Sequence, residues 1–134
     1  MIGIVIVAHG GLAREYLAAV EHVVGKQQGM VAIAIEDEHD RMAKQMEICA
    51  AADDVDTGDG VVVVTDMFGG SPSNLSLRAC LHTDRRIVYG ANLPMLIKLA
   101  KSRGLPVPQA VEAALEAGRK YINSLDLAPQ RERT

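Results

Sequence analysis

His9 follows five apolar residues, Ile4, Val5, Ile6, Val7 and Ala8, and precedes Gly10 and Gly11. An imidazole in that place stands at the rim of a buried strand, where one ring nitrogen can act as nucleophile or base. A helical pattern starts directly afterwards, and the first amides of a helix lack internal acceptors and carry positive potential. Gly10, Gly11 and Leu12 would therefore offer N–H groups to an anion beside His9, the glycines allowing close approach because no Cβ intervenes. Asp66 holds the equivalent place after another strand-like run, residues 61–65. If those two strands are neighbours, its carboxylate would accept Nδ1–H, fix the tautomer and leave the Nε2 lone pair free. Gly69, Gly70 and Ser71 would then supply further amides and a hydroxyl to a group carried on Nε2. Plainer roles stay open at each position: a loop hydrogen bond for His9, a turn for Asp66, a helix cap for Ser71.

The remaining candidates are weaker. Of the four histidines, His22 and His82 fall near the carboxyl ends of helical patterns, and His39 follows the acidic run Glu36-Asp37-Glu38. There is no HxxH, CxxC or carboxylate cluster of metal-ligand spacing, and neither GxGxxG nor a Walker lysine, so neither a metal nor another cofactor is expected. Cys49 and Cys80 read as small buried thiols of a reducing compartment.

The elements that must position His9 and Asp66 alternate along the chain. Strand patterns cover residues 2–7, 30–35, 61–65 and 86–90. Helical patterns begin at Leu12, after the acidic run, near Ser73, at Leu93 and near Val111. The second helix carries Met42, Met46, Cys49 and Ala50 on one face, which reads as its core face. Ser71 is expected as a helix N-cap with Pro72 in the first turn, and the last helix is expected to include Ile122 and Leu125. Alternation of this kind predicts an α/β fold: a three-layer, doubly wound, mostly parallel sheet with helices on both faces. Ligands then bind beyond the carboxyl ends of the strands.

At 134 residues and 14.3 kDa the chain suits one domain, expected over residues 1–126, with a frayed polar tail at 127–134. A net charge of −3 and 3% aromatic residues argue against nucleic-acid binding. The apolar runs are far shorter than the ~20 residues that span a bilayer. With no basic amino-terminal region either, a cytoplasmic protein is expected.

Three stretches carry a resemblance: IVIVAHG at 4–10, TDMFGGSPSN at 65–74 and GANLPML at 90–96. In order and spacing they resemble mannose-type IIA components of the bacterial phosphoenolpyruvate-dependent sugar phosphotransferase system (PTS), over about residues 1–124. The resemblance implies a histidine phosphocarrier of sheet order 2-1-3-4, with a short antiparallel strand exchanged across a homodimer. That strand would come from the segment after the last helix or from residues 104–108. By motif position His9 would take phosphate from phospho-HPr and pass it to a IIB component, with Asp66 bonding the ring and Ser71 beside the phosphoryl group. Leu12, Met67, Phe68 and Asn92 would form the rim met by partner proteins. Ala8 stands where Thr is frequent and Ser73 where an aromatic is common, changes that touch the rim and not the reacting groups. A regulatory phospho-switch without sugar transport, or the phosphotransfer subunit of a dihydroxyacetone kinase, would use the same residues.

Overall fold

Odd and even residues of the first strand are alike apolar because both of its faces are covered. The structure, a computed structural model, describes residues 1–36, 40–67, 69–81 and 84–128. Among these residues four strands form one sheet: β1 (Gly3–His9), β2 (Met30–Ile35), β3 (Val61–Thr65) and β4 (Arg85–Val88). Their order is β2-β1-β3-β4, and every pair is parallel. This is the predicted three-layer, doubly wound arrangement.

The helices are α1 (Leu12–Val24), α2 (Arg41–Val55), α3 (Ser71–Ser76), α4 (Leu93–Lys101) and α5 (Val107–Lys120), with a 3₁₀ turn at Leu77–Cys80 after α3. Ile4, Ile6 and Ala8 of β1, with Val62 and Val64 of β3, pack against α1, α4 and α5. Val5 and Val7, with Val61 and Val63, face Ile48 and Ala52 of α2 and Leu75 of α3. The period of two thus divides one apolar run between two cores. Each fully buried Val or Ile contributes roughly 1.5–3 kcal/mol, so the central strands leave no place for a polar residue before their ends.

Several expectations change in detail. On α2 the buried stripe is Ile48, Ala52 and Val55, whereas Met42 and Met46 are 66% and 65% exposed, Ala50 is exposed and Cys49 is half-buried. The helix is rotated by contacts at its carboxyl end. Gly3 packs so closely on Val55 that a Cβ there would lie 2.4 Å from the Val55 carbonyl oxygen. Arg85 also reaches Asp53 at 2.9 Å and Asp56 at 3.0 Å. The amino-terminal cap of α2 is Asp40, whose Oδ1 accepts from the Ala43 amide at 3.1 Å. Asp37, Glu38 and His39 lie outside the described residues, as do Phe68 and His82.

Gly70 is the N-cap of α3 and Ser71 the first helical residue, so the helix begins one position earlier than a Ser71 cap would require; the backbone is extended at Gly70 (φ −89°, ψ 179°) and already helical at Ser71. The predicted start of that helix near Ser73 therefore moves forward. Residues 104–108 hold a turn and the start of α5 and contribute no strand; Leu105 N–H bonds Ser102 O at 3.0 Å, and Pro106 sets the extended residue before the helix. α5 ends at Lys120, so Ile122 and Leu125 lie beyond it, 74% and 80% exposed. Cys80 lies in the 3₁₀ turn; like Cys49 it is free and half-buried, and burial pushes its pKa up to about 11. Among the described residues no helix is long and apolar enough to cross a membrane.

Candidate functional site

Register brings the two predicted side chains together. Val7 of β1 pairs with Thr65 of β3, so His9 and Asp66 leave the same end of adjacent strands. His9 also pairs with Ile35 of β2, and the Gly10 amide continues that ladder by donating to Ile35 O at 2.9 Å. Gly10 has φ +55°, a left-handed conformation that turns the chain into Gly11, the N-cap of α1. The helix amino terminus is thereby fixed just beyond the imidazole.

Nδ1 of His9 lies 2.8 Å from Oδ2 of Asp66, and the His9 backbone N–H donates to the same oxygen at 3.0 Å. An ionised carboxylate only accepts, so Nδ1 carries the hydrogen and, in the neutral ring, Nε2 holds the lone pair. The Asp66 side chain is 10% exposed and that of His9 49% exposed, so the acid is enclosed and the ring faces solvent. Burial works to raise the pKa of Asp66, but four contributions outweigh it: the two bonds from His9, the charge of its ring when protonated, and the aspartate's own N–H. The carboxyl is held below its ordinary range.

The free edge of the ring meets α3. A methyl group on Gly70 would stand 3.3 Å from Cε1 and 3.6 Å from Nε2 of His9. Ser71 is half-buried in the first turn immediately after Gly70, and Gly69 is an exposed turn residue at φ +84°. Leu12 and Met67 are 39% and 52% exposed at the rim. Asn92 has a different task from the predicted one: Oδ1 accepts from Met95 N–H at 3.0 Å and Nδ2 donates to Gly118 O at 2.8 Å, so the amide caps α4 and fastens it to α5. The structure therefore brings His9, Asp66, Gly70 and the start of α1 into one place, and commits the half-buried Asn92 amide to the α4 cap and to Gly118.

Tyr16 is the residue that sequence reasoning missed. Its spacing put it on the apolar face of α1, and its ring does pack on the core, but its hydroxyl donates to Ala91 O at 3.0 Å. Burial first, and the Asp66 charge second, push its pKa up. The available signal was a phenol on an otherwise apolar stripe, since a buried tyrosine hydroxyl needs a partner. Among the described residues no group of three His, Cys, Asp or Glu side chains is arranged to hold a metal ion.

Comparison with known proteins agrees with this geometry. Residues 3–117 match the family described as PTS system fructose IIA component. The mannose-specific EIIAB component of the PTS from Escherichia coli K12 is 28% identical over 131 residues, covering 96% of this chain; the chain spans 41% of that protein's length. The EIIA component of Streptococcus agalactiae superposes with a TM-score of 0.83 at 26% identity, covering 92% of this chain and 97% of that one. The mannose/sorbose-specific IIA subunit of Enterococcus faecalis gives the same TM-score at 25% identity, over 96% and 97%. With signature stretches, strand order and family match in accord, the chain belongs to the mannose-type IIA components of the sugar phosphotransferase system.

Proposed function

We propose that this IIA component accepts a phosphoryl group from phospho-HPr on Nε2 of His9 and passes it to a IIB component. The observation that carries the reading is the 2.8 Å bond from Nδ1 to Asp66, which leaves Nε2 as the nucleophile on the exposed side of the ring. The Nε2 lone pair forms the new bond to phosphorus in line, while the bond from phosphorus to HPr breaks and its electron pair stays with HPr. The ring becomes cationic in the process, and Asp66 stabilises it without taking the proton. Equatorial oxygens would meet amides of residues 10–12 and 69–71 and the Ser71 hydroxyl. Phosphoryl transfer needs positioning and electrostatics above all, which such a loop pair supplies. Leu12 and Met67 give the site an open apolar rim, suited to a protein donor.

We further infer a cytoplasmic homodimer. Among the described residues β2 and β4 are the edge strands of the sheet, and beyond α5 the chain carries Ile122, Leu125 and Leu127 at 74%, 80% and 83% exposure. An apolar segment and an open strand edge in one chain suit pairing with a second copy.

Incubation with enzyme I, HPr and phosphoenolpyruvate should load one acid-labile phosphate per chain, and His9→Ala should abolish it. Wild-type protein that takes up no phosphate ends this reading. Label that then moves to a IIB protein identifies a transport carrier; label retained with every IIB tested identifies a regulatory switch.

A further inference from the structure

The Asp66 carboxylate sits at the end of a strand, where the backbone has left the sheet ladder and something else must hold it. A chain of hydrogen bonds does so. The Tyr16 hydroxyl of α1 donates to Ala91 O at 3.0 Å, and the Ala91 amide donates to Thr65 O at 3.1 Å. Thr65 O belongs to the peptide unit whose N–H is that of Asp66, and this N–H helps to hold the carboxylate ionised. Asp66 in turn accepts from the His9 ring. Thr65 is fully buried, so its carbonyl has no bulk water to fall back on.

We propose that Tyr16 is a positioning residue, whose hydroxyl acts through Ala91 and the Thr65–Asp66 peptide to orient the carboxylate that fixes the His9 tautomer. The role in phosphoryl uptake rests on the phosphocarrier reading above, whereas the effect on the ring does not. The Ala91 carbonyl and amide belong to successive peptide units, so the link there is one of position: the hydroxyl fixes the Ala91 backbone, and the Ala91 N–H in turn fixes the Thr65–Asp66 peptide. The arrangement also ties α1, which presents its amino terminus beside His9, to the loop between β4 and α4. Because burial and the Asp66 charge raise the phenol pKa, the donor hydrogen is retained through the neutral range.

The test compares Tyr16→Phe, Tyr16→Leu and, as a control, the exposed Tyr121→Phe. The first readout is the tautomer of His9 in unphosphorylated protein, from long-range ¹⁵N–¹H spectra of the ring. The second is the first-order rate of phosphate uptake at saturating phospho-HPr. Tyr16→Phe keeps the packing and removes only the hydroxyl; it should raise the Nε2–H share of the ring and slow uptake roughly three- to tenfold, the scale of one lost neutral hydrogen bond. Tyr121→Phe should change neither. If Tyr16→Phe matches wild type and only Tyr16→Leu is impaired, the side chain is mere packing and the proposal is overturned. A slower rate with an unchanged tautomer overturns it too. Should wild type accept no phosphate, the phosphocarrier reading fails, and the ring spectra of Tyr16→Phe still decide this one.

Discussion

Replacing Asp66 with asparagine tests the site where its geometry is most definite. Both donors, the His9 N–H at 3.0 Å and Nδ1 at 2.8 Å, converge on the single oxygen Oδ2. The amide oxygen of the introduced side chain can take that place, whereas its NH₂ would face two N–H groups there. The new amide therefore has one orientation, with its nitrogen where Oδ1 of the aspartate lies. Oδ1 is buried without a partner among the described residues, so the swap exchanges one unpartnered atom for another and preserves the fold. What is lost is charge.

As Nε2 bonds to phosphorus the ring becomes positive, and two unit charges about 4 Å apart at an effective dielectric near 20 attract by about 4 kcal/mol. His9 is 49% exposed, and solvent screening roughly halves that figure. A loss of about 2 kcal/mol corresponds to roughly a thirtyfold slower transfer. The assay is single-turnover transfer of ³²P from saturating phospho-HPr, which separates the chemical step from docking. The phosphorylated ring is also cationic, so the equilibrium should move towards phospho-HPr in the same direction. Asp66→Asn with native circular dichroism and a rate within twofold of wild type would refute the electrostatic role of Asp66.

Three further outcomes follow from the same geometry. Gly70→Ala is compatible with its extended backbone, so stability should stay within about 0.5 kcal/mol. Its methyl group at 3.6 Å from Nε2 occupies phosphoryl space, and uptake at saturating donor should fall about tenfold or more. Gly3→Ala places a Cβ 2.4 Å from the Val55 carbonyl oxygen, in backbone rather than a yielding side chain. A loss of about 2 kcal/mol or more in urea unfolding is expected, against little change for Gly11→Ala, which has open space. Asp56 is held below its ordinary pKa, first by the Gly58 N–H and then by Arg85, and Asp66 by His9 against its burial. A depressed carboxyl stabilises the fold above its unfolded pKa of about 4, and this is lost as pH falls through the lower folded value. The urea midpoint should therefore drop below about pH 4, and the gap between wild type and Asp56→Asn should narrow there; a gap independent of pH sinks the assignment.

What the sequence disclosed, and what it concealed, divides along a physical line. β1 and β3 were legible because both faces of a central parallel strand are apolar, and the places just after them had to be where polar chemistry could begin. His9 and Asp66 were then found by type and position. The α2 face was misread because two apolar stripes compete on that helix, and the choice between them is made by Gly3, Val55 and Arg85, partners far away along the chain. Asn92 looked like a rim residue because its motif is polar and follows a strand; its amide is consumed by Met95 and Gly118, the latter 26 residues onward.

Tyr16 shows why this boundary matters for function. Periodicity identifies it correctly as a core residue, and the same side chain carries a hydroxyl that only tertiary structure places against Ala91. The carboxylate that holds His9 is itself held by backbone units, and those units take their orientation from a helix on one face of the sheet. A motif specifies the reacting atoms. The angular precision they need comes from bonds between residues that no motif joins, here Tyr16 to Ala91 to Thr65. Rates in this protein should accordingly be sensitive to conservative changes in α1 and in the loop before α4 that leave every signature residue intact.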